Sequence, residues 1–375
     1  MKLGERLQIF TELLRSSPAL GPGNIRRLHA ELGIGPTPCR VIHEERSFRL
    51  LHFPAALPAA SSRVPAAEGD GDGDGDGPPP LLLVPSLINR WYVLDLLAGH
   101  SLVEALVAAG LQVYVIAWAD AHDGQAGLGL DHVVESLIHR AVLRTCRHAA
   151  SPAVTLLGQC LGGTLALAYA ALQPERVDRL VALTTPVDFS AGGLLATWIS
   201  RESMDMEAIA RAYPGRVPDR LVYGAFPLLD PRALVTRHRL LFQNLHFAEF
   251  RRVYQAIDLW TTDHLPVASG VLRGMVHDLY QENAFWTGRW RMGKGMVRLE
   301  DVRCPLLNVI ARADDIVPLA AAKPLLERVG STVKEEFLSP LGHVTLILGS
   351  PLRTQTYARI AGFCARTGTG SLPVS

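Results

Sequence analysis

The sequence predicts an α/β protein with a mostly parallel central sheet covered by helices on both faces. Three observations carry this. From Leu81 onward, short continuous apolar runs alternate with segments of helical length and period, the pattern of parallel strands buried on both sides. One run, Ala153-Val154-Thr155-Leu156-Leu157, passes through Gly158-Gln159-Cys160-Leu161-Gly162 into a helix of small residues, a strand–tight turn–helix unit. The alternation breaks between about 190 and 294, where helical periodicity is rich in Trp, Tyr, Phe, Met and Arg, and then resumes. Four parts follow: an N-terminal arm and hairpin (1–54), a low-complexity loop (55–80), a core (81–189 and 295–367) and an inserted helical lid or cap (190–294).

Residues 1–35 read as one or two short helices, and Val41 to Phe53 as a β-hairpin turning near Glu45-Arg46-Ser47. The stretch 55–80 contains Ala, Ser and Pro, the repeat from Gly69 to Gly77 and then three prolines. That repeat lacks the closing Glu of a calcium loop and reads as a solvated flexible connection. Strands are expected at Leu81–Val84, Gln112–Trp118, Ala153–Leu157, Val177–Thr184, Pro305–Ala311 and Val333–Leu338. Helices are expected at Leu96–Ala109, Asp131–Ala149, Ala320–Val329 and Pro351–Thr367, besides the one after Cys160.

Composition narrows the function classes. At 375 residues with 48% hydrophobic content, a substantial core is affordable. A formal net charge of +1 gives no push towards nucleic acid. Five scattered cysteines, without a CxxC pair, suggest neither a disulfide framework nor a zinc site. No secretory signal and no apolar run long enough to span a bilayer is recognisable, so a cytoplasmic location is expected.

The chemistry centres on Cys160. The turn would hold its thiol at a helix N-terminus, where the dipole favours a thiolate and a developing oxyanion. A cysteine nucleophile needs a base, and the base an orienting group. In the α/β-hydrolase fold these follow in the order nucleophile, acid, histidine. Asp314, in Ala313-Asp314-Asp315-Ile316, and His343, in Leu341-Gly342-His343-Val344, meet that order, each just after an expected strand. Asp315 and Asp188 are competing acids, with Asp188 read as a loop or cap residue. His148 and His238 read as surface helix residues. The oxyanion hole is expected from the backbone N–H of Leu161 and, on the loop Pro85–Arg90, of Ile88. Asn89 and Arg90 read as a helix cap and a solvated arginine.

These segments together resemble the polyhydroxyalkanoate synthases, especially the short catalytic subunit of the two-component types. The resemblance runs from about Gly35 to Cys364. It includes Val84-Pro85-Ser86-Leu87-Ile88-Asn89-Arg90-Trp91-Tyr92, Val115-Ile116-Ala117-Trp118, Thr185-Pro186-Val187-Asp188-Phe189, Leu259-Trp260-Thr261-Thr262-Asp263 and Leu279-Tyr280-Gln281-Glu282-Asn283. It places the family's nucleophile on Cys160, its aspartate on Asp314 and its histidine on His343. Asp315 stands where the family commonly has histidine, which introduces a second carboxylate beside the first. His264-Leu265-Pro266 replaces a more polar lid stretch, and the Gly-Asp loop is an addition. The resemblance implies polymerisation of (R)-3-hydroxyacyl-CoA thioesters through an acyl-cysteine, with no cofactor. It also implies a homodimer, a second synthase subunit and association with polymer granules. Lid arginines Arg201, Arg211, Arg237, Arg251 and Arg252 are candidates for the CoA phosphates, or solvated helix faces. The alternative on the same scaffold is a thioesterase, esterase or depolymerase that admits water to the same triad.

Overall fold

A computed structural model of the chain describes residues 3–15, 17, 21–56, 78–125, 127–224, 229, 231–293, 295–348 and 350–366. Most of the loop expected at 55–80, with its Gly69–Gly77 repeat, lies outside the described residues.

The apolar runs form one eight-stranded sheet. Its strands are β1 (Arg40–Glu44), β2 (Phe48–Phe53), β3 (Leu81–Val84), β4 (Val113–Trp118), β5 (Val154–Gln159), β6 (Val177–Leu183), β7 (Leu306–Ala311) and β8 (Lys334–Ser339). The spatial order is β1-β2-β4-β3-β5-β6-β7-β8. Strands β3 to β8 pair in parallel, while the hairpin β1–β2 adds antiparallel to β4. Every residue of β3, β4, β5 and β7 is buried, as continuous apolar strands require. Alternation then divides them between two cores: Leu82, Tyr114, Ile116 and Leu156 face one, and Leu81, Leu83, Val115 and Leu157 the other.

Two expected helices differ. The helix expected from Leu96 starts at Leu102, where the Ser101 side chain accepts from the Glu104 N–H. The preceding residues make a 3₁₀ turn, Trp91–Leu94, in which Tyr92, Val93 and Leu94 are buried. The helix expected at Ala320–Val329 is two single turns, Leu319–Ala322 and Leu325–Arg328, because Pro324 cannot continue the first. The N-terminal arm is two helices, Leu3–Arg15 and Pro22–Leu32.

Between β6 and β7 the chain leaves the sheet. Described helices in this insertion are Gly193–Ile199, Met206–Ala212, Asp219–Tyr223, Pro231–Asn244, Ala248–Trp260 and Ser269–Gly274, the last continuing as a π-helical segment, Met275–Gln281. A small hairpin, Trp290–Met292 with Gly295–Val297, returns the chain to the core.

Candidate active site

The turn between β5 and the helix Leu161–Leu172 places Cys160 at φ 54°, ψ −126°, a strained conformation for a residue with a side chain. The surroundings hold it there. Its N–H donates to Leu183 O at 2.8 Å, and its carbonyl accepts from Gly163 N–H at 2.8 Å. Gly162 is dictated by packing: a Cβ there would lie 2.1 Å from Val84 O and 2.7 Å from Pro85 O. The helix start is therefore pressed against the loop that leaves β3.

The loops after β7 and β8 bring the other two residues in. The strands pair in register to Ala311 and Ser339. Beyond them Arg312 N–H donates to Ser339 O at 2.8 Å and Ala313 N–H to Leu341 O at 3.1 Å, so the two loops leave the sheet together. Asp314 Oδ1 accepts the N–H groups of Ile316 (2.9 Å) and Val317 (2.7 Å). Its Oδ2 lies 2.8 Å from His343 Nδ1. With Nδ1 so engaged, the ring's other nitrogen is left for Cys160, whose side chain hydrogen-bonds His343. The Asp314 side chain is fully buried and that of His343 is 7% exposed, so neither partner is screened by water. Burial alone pushes the His343 pKa down. The nearby Asp314 and Cys160 charges, with their hydrogen bonds, outweigh it and hold the imidazolium well above its ordinary range.

The competing residues separate cleanly. Asp315 is exposed, so solvent screens the second carboxylate expected to perturb the first. Asp188 caps the turn Phe189–Ala191, accepting from Ser190 N–H at 3.1 Å and Asn283 Nδ2 at 2.8 Å. His148 is exposed and bonds Tyr114 through Nδ1.

The two expected oxyanion donors sit on separate segments. Leu161 opens the elbow helix. Ile88 is buried, and its carbonyl accepts from Leu265 N–H at 3.3 Å and from the Tyr223 hydroxyl. Two readings of this loop need correction. Asn89 is buried and forms an antiparallel bridge with His264. Arg90 ion-pairs with Asp263 at 3.0 Å and Asp120 at 2.6 Å, so it is neither solvated nor idle.

Sequence reasoning missed Tyr223 and Tyr280, which the insertion brings into the field of Cys160. Tyr280 sits edge-on to Phe189, with ring centroids 5.0 Å apart. Tyr223 stacks flat on His264, at 3.3 Å and 9°. Burial holds both phenols well above their usual range and pushes the His264 pKa down to about 4. Their only sequence signal is aromatic residues in the insertion. A cleft of about 530 Å³ runs past Tyr280 and Ala191, and Ala191 packs in one cluster with Cys160.

The five candidate phosphate-binding arginines have partners within the chain. Arg201 pairs with Glu282, Arg211 with Asp205 at 3.8 Å and Arg237 with Asp258 at 2.7 Å. Arg251 donates to Leu245 O and Arg252 to Leu32 O at 3.3 Å.

Comparison with known proteins agrees with this architecture. The family described as "alpha/beta hydrolase fold" matches residues 79–350. The "Poly(3-hydroxyalkanoate) polymerase subunit PhaC" of Allochromatium vinosum is 30% identical over 90% of this chain and 91% of its own. The protein of that name from Haloferax mediterranei is 29% identical over 92% of this chain and 68% of its own. The one from Synechocystis is 28% identical over 94% and 90%. The chain therefore belongs to the α/β-hydrolase fold family and, within it, to the family of poly(3-hydroxyalkanoate) polymerase PhaC subunits.

Proposed function

We propose that this chain polymerises (R)-3-hydroxyacyl-CoA thioesters into polyester, with Cys160 as nucleophile. The observation that carries the reading is the array Cys160–His343–Asp314, with the His343–Asp314 pair buried and Cys160 half-buried at a strained elbow, in a chain of this family. His343 takes the thiol proton. The thiolate attacks the thioester carbonyl, the C–S bond to CoA breaks, and CoA leaves as a thiol carrying a proton from the imidazolium. The acyl group now sits on Cys160 as a thioester, close in energy to the one consumed. The 3-hydroxyl of another acyl unit then loses its proton to His343 and attacks a thioester carbonyl; the C–S bond of that thioester breaks, an oxygen ester forms, and the departing sulfur takes the proton back from His343. Asp314 fixes the ring and stabilises its protonated form. Leu161 and Ile88 N–H groups stabilise the oxyanion in each addition.

Residues 190–294 act as the lid. We assign the entry of the acyl chain to the 530 Å³ cleft lined by Ala191 and Tyr280, since Ala191 packs on the same small cluster as Cys160. Apolar and aromatic lid residues keep water from the acyl-cysteine, which separates polymerisation from hydrolysis. The reading carries with it a homodimer, a second synthase subunit and work at the surface of polymer granules. Among the described residues no helix is long and apolar enough to cross a membrane, so contact with a granule would be peripheral.

The test is CoA release from (R)-3-hydroxybutyryl-CoA, wild type beside Cys160→Ala, with the products sized. High-mass ester that disappears in the variant is the expected result. Release of free 3-hydroxy acid alone would make the chain a thioesterase. No turnover, with a partner subunit present, would sink the reading.

A further inference from the structure

Asp263 lies in the lid, beyond the end of the helix Ala248–Trp260, where its N–H donates to Leu259 O at 2.8 Å. Its carboxylate gathers three other elements. Oδ1 accepts from Arg90 Nε at 3.0 Å; Oδ2 accepts from the Tyr92 hydroxyl at 2.8 Å and lies 3.4 Å from His29 Nε2 on the arm helix Pro22–Leu32. The side chain is only 13% exposed. The next two residues continue the attachment: His264 bridges to Asn89, and Leu265 N–H donates to Ile88 O at 3.3 Å. Tyr223, stacked on His264, gives its hydroxyl to the same Ile88 carbonyl. Every one of residues 88, 89, 90 and 92 is thus tied to the lid. The start of the elbow helix packs against the beginning of the same loop, where a Cβ on Gly162 would lie 2.1 Å from Val84 O and 2.7 Å from Pro85 O.

We propose that Asp263 is a positioning residue that couples lid closure to the alignment of the loop Pro85–Arg90, so that acyl transfer runs only while the lid is shut. Asp263 touches no reacting atom. It acts through Arg90 and Tyr92, which hold the peptide of Ile88 beside Cys160. Lid opening breaks the Asp263 contacts and the Ile88 contacts together, and the oxyanion donor loses its support as the site becomes wet. An acyl-cysteine exposed by opening would then sit in a poor catalytic site, which protects the thioester from water. This rests on the reading of Ile88 as an oxyanion donor and of the chain as an acyltransferase.

The experiment uses the full chain and the variants Asp263→Asn, Asp263→Glu and Tyr92→Phe, the last being a milder loss should the first fold poorly. Asp258→Asn is the control: it breaks an ion pair of the same lid helix to Arg237 without touching the loop. Hydrogen exchange over 86–92 and 261–266, and alkylation of Cys160 by iodoacetamide, are measured without substrate. Turnover of (R)-3-hydroxybutyryl-CoA is measured separately. In Asp263→Asn, exchange in both segments and Cys160 alkylation should each accelerate about tenfold, while kcat falls by a similar factor and KM changes little. Tyr92→Phe should move all of these the same way by less, Asp263→Glu should recover part of the loss, and Asp258→Asn should move none. Unchanged exchange over 86–92 in Asp263→Asn, or an equal loss in Asp258→Asn, overturns the coupling. Retained kcat despite faster exchange overturns the role assigned to the loop. If wild type turns over no acyl-CoA, the functional reading fails. The exchange and alkylation results then still decide whether the latch exists.

Discussion

His343 Nδ1 and Asp314 Oδ2 lie 2.8 Å apart in a setting where neither side chain is wetted. Two backbone N–H groups fix the other Asp314 oxygen, so the carboxylate cannot rotate away. This pair decides both the orientation and the charge of the ring that faces Cys160.

Asp314→Asn should therefore cut kcat/KM for the acyl-CoA by about 10³–10⁴-fold with the backbone contacts of Oδ1 kept. The same variant should show a pH-dependent stability loss. The folded-state pKa of His343 is raised, so the charge interaction contributes fully below the unfolded value and is lost as pH rises through the folded value. The stability gap between wild type and variant should be widest below about pH 6.5 and shrink as pH rises through the folded value of His343 in urea unfolding. A gap independent of pH would show that the ring is not held protonated by Asp314.

The elbow glycines make a packing prediction. Gly162→Ala meets backbone oxygens at 2.1 and 2.7 Å, which can yield only by moving the strand–loop junction at Val84-Pro85. It should cost about 1–3 kcal/mol and lower activity together. Gly163→Ala meets instead the side chain of Thr185, at 1.8 Å from Oγ1. Thr185→Ala removes the Oγ1 and Cγ2 contacts but leaves its Cβ at 2.8 Å, so it should recover only part of the Gly163→Ala loss, a non-additivity that denaturant melts of the single and double variants would measure. Additive losses would mean that the helix–strand approach, not Thr185, sets the limit.

The residues legible in the sequence are those whose placement is local. Cys160 and Asp314 each follow an apolar strand and His343 follows the half-exposed edge strand Lys334–Ser339, and parallel register carries all three to one edge of the sheet. The missed helix boundary was also written locally: Ser101 and Glu104 stand at capping spacing, and Pro324 interrupts the last short helix. The Arg90–Asp263 pair was not legible, because its partners are separated by 173 residues and meet only through the tertiary packing of the insertion on the core. Tyr223 and Tyr280 share that difficulty. Helical periodicity shows which lid residues are apolar on one face, and says nothing of which core residue they will cover.

His264 makes the lid contact sensitive to acid. Burial favours the neutral ring and pushes its pKa down to about 4, from an ordinary value of 6.5; Asp219 and Asp263 pull the other way without offsetting it. Between those two values the unfolded chain binds more protons than the folded one, so stability is complete above about pH 6.5 and falls as pH drops towards 4. The ring that would become charged is the one stacked on Tyr223 and bridged to Asn89, so the loss falls on the attachment of lid to loop. His264→Phe keeps an aromatic ring for Tyr223 and removes the proton site. Between pH 7 and pH 5, wild type should lose about 1–2 kcal/mol more stability than His264→Phe in urea unfolding. Protection of 86–92, corrected for the intrinsic pH dependence of amide exchange, should fall with acid in wild type alone. Equal pH slopes for the two proteins would show that His264 stays neutral, or is charged, in folded and unfolded chains alike.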